Sequence, residues 1–390
     1  MVDDYELAAT AARDAMVDRL RGTGPSERTL AAMARVPRHE LVPMFWAMPT
    51  LLGLTDDAVE FHRGDVEGLE HLHDVDRAVA INKVSGATGG TTSTASAPRL
   101  LAAQADLLAL EPGMSVLEIG TGPGYFAALL SELVGEAGRV VSLDIDSDVV
   151  RGAAERLRTL GYGNVTTIAR DGHEGAVEHA PFDRIVGSVG CNDVAAAWIA
   201  QLAPDGFALV PLSHGAVHPM VRVDARGEGA IATRSGYVRI QGRQDDVTLW
   251  PHARAFVAPT EKEPLPGDVA GALAIEAGRD QIGGIGEWNL GYWVAAADQR
   301  AGFLVNLNDG DGSTARIDAG SGMLTWVGPE GAALASDLLD HARAWIAAGA
   351  PSAEDHRHRF VPLDEPFGID RNEAWVIDRI DHHQVITRGQ

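Results

Sequence analysis

Residues 116–130 read "VLEIGTGPGYFAALL". A short apolar run is followed by three glycines at alternate positions, Gly120, Gly122 and Gly124, and then by apolar residues at helical spacing. This is a buried strand, a tight loop and a helix, and "YFAALLSELVG" ends on glycine as helices often do. The pattern repeats downstream. "RVVSLDI" (139–145) predicts a second strand and "DVVRGAAERLRTLG" (148–161) a helix. "NVTTIARD" (164–171) and "FDRIVGSV" (182–189) read as strands, "DVAAAWIAQLAPDG" (193–206) as a helix, and "FALVPL" (207–212) as a fifth strand. Strands separated by helical segments of about 10–15 residues build a parallel sheet covered on both faces. The fold class is therefore α/β, a doubly wound sheet, with its core over residues 81–213.

On the amino-terminal side, residues 4–35 read as helices. "SERTLAAMARVP" opens on a cap-like serine and stops at Pro37. Residues 45–95 mix aromatics, glycines and acids with little periodicity, so 1–80 is expected to be an amino-terminal, largely helical segment. Beyond 213 the alternation ends. "HPMVRVDARGEGAIATRSGYVRIQG" (218–242) and "FLVNLNDGDGSTARIDAGSGMLTWVG" (303–328) have period-two patterning with glycine turns. "EGAALASDLLDHARAWIAAG" (330–349) is a helix, and "EAWVIDRIDHHQVITRG" (373–389) reads as one last strand. Residues 214–390 are thus expected to form an α+β domain.

A chain of 390 residues exceeds one ordinary core, which agrees with two domains. Its 32 basic residues against 55 acidic ones give a net charge of −23. Such a surface repels phosphate backbones, which argues against nucleic acid as a partner and against an RNA-base methylating role. No apolar run is long enough for a membrane span, and the acidic start lacks signal-peptide character, so a cytoplasmic protein without a membrane partner is expected. The single cysteine, Cys191, excludes an internal disulfide and a cysteine-built metal cluster.

The glycine loop narrows the ligand. A dinucleotide fingerprint wants a third glycine where Tyr125 stands, and no Walker lysine follows. Acids sit instead at three strand ends. Glu118 precedes the first glycine by two positions, Asp144 can accept from ribose hydroxyls, and Asp171, followed by Gly172, lies where an adenine amino group would reach. Carboxylates around an open glycine loop suit a cofactor that has an ammonium group and no pyrophosphate. This constellation resembles the S-adenosyl-L-methionine-dependent methyltransferases, Rossmann-like in fold. The resemblance implies a cofactor set of Glu118, Gly120, Thr121, Gly122, Gly124, Tyr125, Asp144, Ile145, Asp171 and Gly172.

Segments outside the loop carry a sharper likeness. "SERTLAAMARVPRHELVP" (26–43), "TASAPRL" (94–100), "LLALEPGMSVLEIGTGPGYFAALLSELVG" (107–135) and "LGYGNVTTIARDGHEG" (160–175) resemble protein-L-isoaspartate O-methyltransferases over about residues 15–213. The likeness implies carboxyl methylation of a peptide or protein bearing an aspartyl or isoaspartyl residue. It matches Ser96 and Thr94 to a serine and threonine lying across the transferred methyl, with Ser93 where the family usually has glutamine. The run after "SAP" also departs, reading "RLL". The family's repair enzymes are expected to end soon after the fifth strand, whereas this chain continues. Longer relatives resemble methyltransferases of ribosomal peptide biosynthesis (lanthipeptides, lasso peptides, graspetides). These esterify an aspartate, which closes to a succinimide and yields isoaspartate. On that likeness the carboxy-terminal domain would recognise the peptide.

By composition alone "GGTTSTASAPRL" (89–100) is a linker. Chemistry offers a second reading. A carboxylate nucleophile is already ionised and needs no general base, only placement by neutral donors. Ser93, Thr94 and Ser96 are therefore the candidate catalytic residues, acting as a substrate clamp. Other features point elsewhere. The histidines of "HLHD" (71–74), "EDHRH" (354–358) and "DHH" (381–383) fit no common zinc spacing and read as surface residues, so no metal is expected. "NLNDGDGS" lacks the ligands of a calcium loop and reads as a hairpin turn. Trp288, Tyr292 and Trp293 suit a peptide platform or a core equally well.

Overall fold

The predicted alternation of strand and helix is present across the centre of the chain. The computed structural model describes residues 4–47, 58–82, 91–215, 217–238, 241–244, 249–250, 258–279, 287–302, 305–368 and 374–388. The chain divides into two units. The first comprises 1–190, 197–210 and 236–243, and the second 191–196, 211–235 and 244–390. Among the described residues no helix is long and apolar enough to cross a membrane.

In the first unit the strands Leu202–Pro211, Phe182–Gly187, Ser115–Ile119, Arg139–Asp144 and Val165–Ala169 lie side by side in that order, all parallel. The Ser115–Ile119 strand sits between Arg139–Asp144 and Phe182–Gly187 at the point where the chain reverses its direction across the sheet. Ligands of open α/β sheets bind outside the carboxyl ends of strands at such a switch. All five of its residues are buried, the polar Ser115 and Glu118 included. The helix Tyr125–Val134 is buried along nearly its whole length and closes on Gly135 at φ 66°. The cap-like serine is confirmed: Ser26 accepts from the Thr29 amide, and the helix Glu27–Arg35 ends just before Pro37.

Three parts of the first unit differ from the expectation. The segment without periodicity contains a small antiparallel sheet, Glu60–His62, Met44–Ala47, Val79–Ala80 and Thr94–Ala95 in that order. Strands of two to four residues are too short to show a period. The helix expected over 193–206 is only Ala196–Ala200, and the fifth strand already begins at Leu202. Finally, 236–243 belongs to the first unit although it follows the expected boundary. Long-range bonds hold it there. The Tyr237 hydroxyl donates to Gln104 Oε1 at 2.5 Å, and Gly190 N–H donates to the Val238 carbonyl at 2.8 Å.

The second unit is α+β. One antiparallel run orders Ala374–Asp378, His382–Arg388, His356–Pro362, Glu228–Arg234 and Pro219–Asp224. The single last strand expected over 373–389 is therefore a hairpin of two. A second sheet orders Glu261–Pro264, Met323–Val327, Thr314–Asp318, Val305–Asn308 and Ala301–Gly302. Helices Gly267–Arg279, Trp288–Ala297 and Gly331–Ala347 contribute Leu273, Trp293, Leu338 and Trp345 to its core. Trp288, Tyr292 and Trp293 are buried, Trp293 within this core, so they are not an exposed platform.

The histidines also depart from expectation. His73, His356, His358 and His382 are buried, not solvated. In the second unit they stack among aromatic rings: His356 lies 5.5 Å from Trp375, and His214 lies 4.5 Å from Tyr292. His358 has both ring nitrogens served inside the core. Arg379 Nε donates to Gln384 Oε1, so Gln384 Nε2 faces and donates to His358 Nδ1. That leaves the proton on His358 Nε2, directed at the Tyr292 hydroxyl 3.0 Å away. The chain of donors admits only a neutral imidazole.

Candidate active site

The three glycines of the loop all adopt positive φ, +100° at Gly120, +50° at Gly122 and +90° at Gly124, but they do different things. A Cβ on Gly124 would press on Ala153 and Leu157 at 3.3 Å, so this glycine lets two helices approach. A Cβ on Gly122 would meet the Thr94 carbonyl at 3.2 Å and the Ser93 hydroxyl at 3.9 Å. The hydroxyl-rich segment therefore lies directly on the glycine loop, a contact between residues almost thirty positions apart.

That segment is not slack. Thr94–Ala95 pairs with Val79–Ala80, and Ile81 N–H donates to the Ser93 carbonyl at 3.0 Å. The Asn82 side chain pins the stretch before it. Its Oδ1 accepts from Thr91 Oγ1 (2.9 Å), Thr92 N (3.0 Å) and Ser93 N (3.1 Å), while its Nδ2 donates to Thr92 Oγ1 (2.8 Å). Gly89 and Gly90, which open the quoted linker, lie outside the described residues.

A cleft opens over the switch point. Thr92, Ser93 and Thr94 form one wall. Gly120, Gly122, Asp144, Ile145 and Gly172 line it from the strand ends, and Ser188, Val189, Val238 and Gln241 close the remainder. Asp144 Oδ2 accepts from Gly122 N–H at 3.0 Å, and burial raises its carboxyl above the usual range. Ile145 next to it is 42 % exposed, an apolar face on which a flat ring can rest. Val238 and Gln241 had no signal in the sequence, because they arrive from the segment that returns after residue 235.

Several expected cofactor residues stand behind this wall instead of on it. Glu118 is fully buried beneath the loop, accepting from Ser142 Oγ (2.7 Å) and Ser188 Oγ (3.2 Å). Burial pushes its carboxyl up to about 8, against the lowering effect of those hydroxyls. Thr121 extends the same chain through Ser142 at 2.7 Å. Tyr125 is buried under the Arg38 guanidinium, 4.6 Å from its ring centroid. Asp171 gives one oxygen to His173 N (2.9 Å) and the other to Arg243 N (2.8 Å), so it braces backbone. Ser96 is off the wall, and its carbonyl accepts from Arg38 at 2.9 Å.

These residues fit S-adenosyl-L-methionine. Asp144 lines the cleft and accepts from the Gly122 amide, while Glu118 lies sealed beneath the loop among serine hydroxyls, so the floor offers acceptors to ammonium and sulfonium groups and no cation to pyrophosphate. Asp144→Asn should retain the acceptor for Gly122 N–H and lose the charge. Cofactor affinity should fall by about 1.5 kcal/mol or more, the scale of a hydrogen bond to a charged group, with the fold intact. Unchanged affinity in calorimetry would remove Asp144 from the site.

Fold and cleft together define an S-adenosylmethionine-dependent methyltransferase. A profile described as protein-L-isoaspartate(D-aspartate) O-methyltransferase matches residues 69–240. Over 197 residues the chain is 32% identical to the protein-L-isoaspartate O-methyltransferase of Methanococcoides burtonii, covering 50% of this chain and 82% of that one. The enzyme of the same name from Methanothermobacter thermautotrophicus is 35% identical over 192 residues, 49% of this chain and 74% of that one. The chain belongs to the protein-L-isoaspartate O-methyltransferase family, whose members are carboxyl O-methyltransferases of proteins and peptides. A solved structure titled protein-L-isoaspartate O-methyltransferase aligns over 97% of this chain and 100% of its own, with a TM-score of 0.53 and 20% identity. A long carboxy-terminal part is thus within the family's range of folds. Length alone does not separate this chain from the enzymes named for isoaspartate, contrary to the expectation from sequence.

Proposed function

We propose that this chain methylates the side-chain carboxylate of an aspartyl residue in a ribosomally made precursor peptide. The ester then closes to a succinimide, which opens to isoaspartate. The observation that carries the carboxylate chemistry is the seating of Ser93 and Thr94 on Gly122, in the cleft that Asp144 also lines. When bound, S-adenosylmethionine supplies an electrophilic methyl group. The chain's own part is placement. Asp144 and the glycine loop hold the cofactor, and the hydroxyls at 93 and 94 donate to the carboxylate without pairing with it tightly enough to blunt it. No proton has to move in this step, so no side chain is assigned as a base. Ser96 acts from behind, through the backbone that carries Thr94. Support for the precursor peptide comes from the departures in the clamp, where the small Ser93 leaves room that a glutamine would fill. The second unit is the proposed peptide reader.

A second reading, methylation of isoaspartyl residues in damaged proteins, is favoured by the names of the relatives. Two synthetic peptides of one sequence, carrying either aspartate or isoaspartate, separate the two, together with the chain's cognate precursor. The proposal expects the aspartyl precursor to be methylated with much the higher kcat/KM. Preference for the isoaspartyl peptide would establish the second reading.

A further inference from the structure

Arg38 opens the short helix Arg38–Leu41 and is 0% exposed. Burying a guanidinium costs several kcal/mol unless its surroundings compensate, and the usual compensation is a carboxylate. Among the described residues its partners are of another kind. Nε donates to the Leu72 carbonyl at 2.8 Å, and Nη2 donates to the carbonyls of Ala95 (3.2 Å) and Ser96 (2.9 Å). The plane rests 4.6 Å from the ring centroid of Tyr125, the first residue of the helix that leaves the glycine loop. Packing alone would be met by leucine or methionine at no electrostatic cost.

We propose that Arg38 is a positioning residue for methyl transfer, setting the height of the hydroxyl strand above the glycine loop. It ties the backbone immediately after Thr94 to the residue immediately after Gly124 through one rigid fork. There is little slack to absorb its loss, because the Thr94 carbonyl lies 3.2 Å from the Cβ position of Gly122. In-line attack tolerates small errors only, and a misplacement near 1 Å costs on the order of 100-fold in rate. The cofactor's own contacts at Gly122 and Asp144 do not pass through Arg38. Its loss therefore acts on kcat and spares cofactor binding. The inference rests on the carboxyl-transfer reading for its kinetic consequence, and on the hydrogen bonds alone for its structural one.

The test uses the full chain with Arg38→Met and, as the gentler change, Arg38→Lys, each checked by its thermal transition. For Arg38→Met, kcat on an aspartyl or isoaspartyl peptide should fall by about 30-fold or more. The affinity for S-adenosylhomocysteine in calorimetry should stay within about threefold. Amide exchange should quicken at 94–97 and remain unchanged at 122–125. In Arg38→Gly, added guanidinium ion should restore part of kcat. A folded variant with wild-type kcat overturns the proposal. So does loss of cofactor affinity in step with kcat, or exchange at 94–97 that does not change. If the wild type methylates no peptide carboxylate, the activity reading fails, and the exchange measurement still decides whether Arg38 holds the strand.

Discussion

Gly122→Val is expected to abolish cofactor binding and methyl transfer while the protein stays folded. At φ +50° a β-branched residue is strained, and strain of this kind costs about 1–3 kcal/mol. Its Cβ would lie 3.2 Å from the Thr94 carbonyl, and its methyl groups would fill the gap between the loop and the hydroxyl strand. Together these should weaken S-adenosylhomocysteine binding by at least about 3 kcal/mol, roughly 100-fold. Gly124→Ala provides the contrast. Its new methyl would press on Ala153 and Leu157, so it should lower the thermal transition and leave the affinity of the folded fraction close to normal. Calorimetry and thermal scans on both variants check the pair. Equal losses of affinity would show that the loop acts as one rigid unit and that Gly122 has no special place.

Acid should unfold the second unit. Burial holds His214 well below its ordinary value and brings His358 down to about 3, with the nearby Arg379 adding to both shifts. The sign follows from linkage. Both imidazoles are neutral at pH 7 whether the chain is folded or not, so their contribution is complete there. Below about 6.5 the unfolded chain takes up protons that the folded core refuses, and stability falls with pH until the folded groups titrate. Each pH unit costs about 1.4 kcal/mol per histidine, so by pH 4.5 the pair costs about 5 kcal/mol, a large share of an ordinary domain's stability. Trp250, Trp288, Trp293, Trp326, Trp345 and Trp375, six of the eight tryptophans, report the event by fluorescence. His358→Gln should move the acid midpoint downward. A midpoint that stays in place would mean that other groups control the transition.

The parallel sheet was legible because most local signals agreed. The strands have apolar centres, the helix Tyr125–Val134 closes on Gly135 and Ser147–Thr159 is capped by Asp146, and the glycine loop falls between a strand and a helix. Asp144, Ile145 and Gly122 were legible for the same reason, since strand ends and loops place their residues by position alone. What tertiary structure decides was hidden. Glu118 and Asp171 stand at strand ends as expected, yet one is sealed beneath the loop and the other is committed to the amides of His173 and Arg243. The hydroxyl segment has a linker's composition, and only its pairing with Val79–Ala80 and the bonds from Asn82 and Arg38 make it a wall. Asn82 offers no motif, because its importance comes from a loop folding back on it. The buried histidines misled for a related reason. Histidine among charged neighbours in sequence suggests solvent, but alternate residues of the His356–Pro362 strand face the core, and His356 and His358 are two of them.

The central claim is that a carboxylate oxygen receives the methyl group, and the chemical stability of the product tests it most directly. The full chain is incubated at pH 6 with isotopically methyl-labelled S-adenosylmethionine and an aspartyl peptide, and the product is then exposed to mild base. The account predicts one methyl per modified residue, released as methanol in base as the peptide passes through a succinimide. A methyl group that survives base, as one on nitrogen or carbon would, contradicts it.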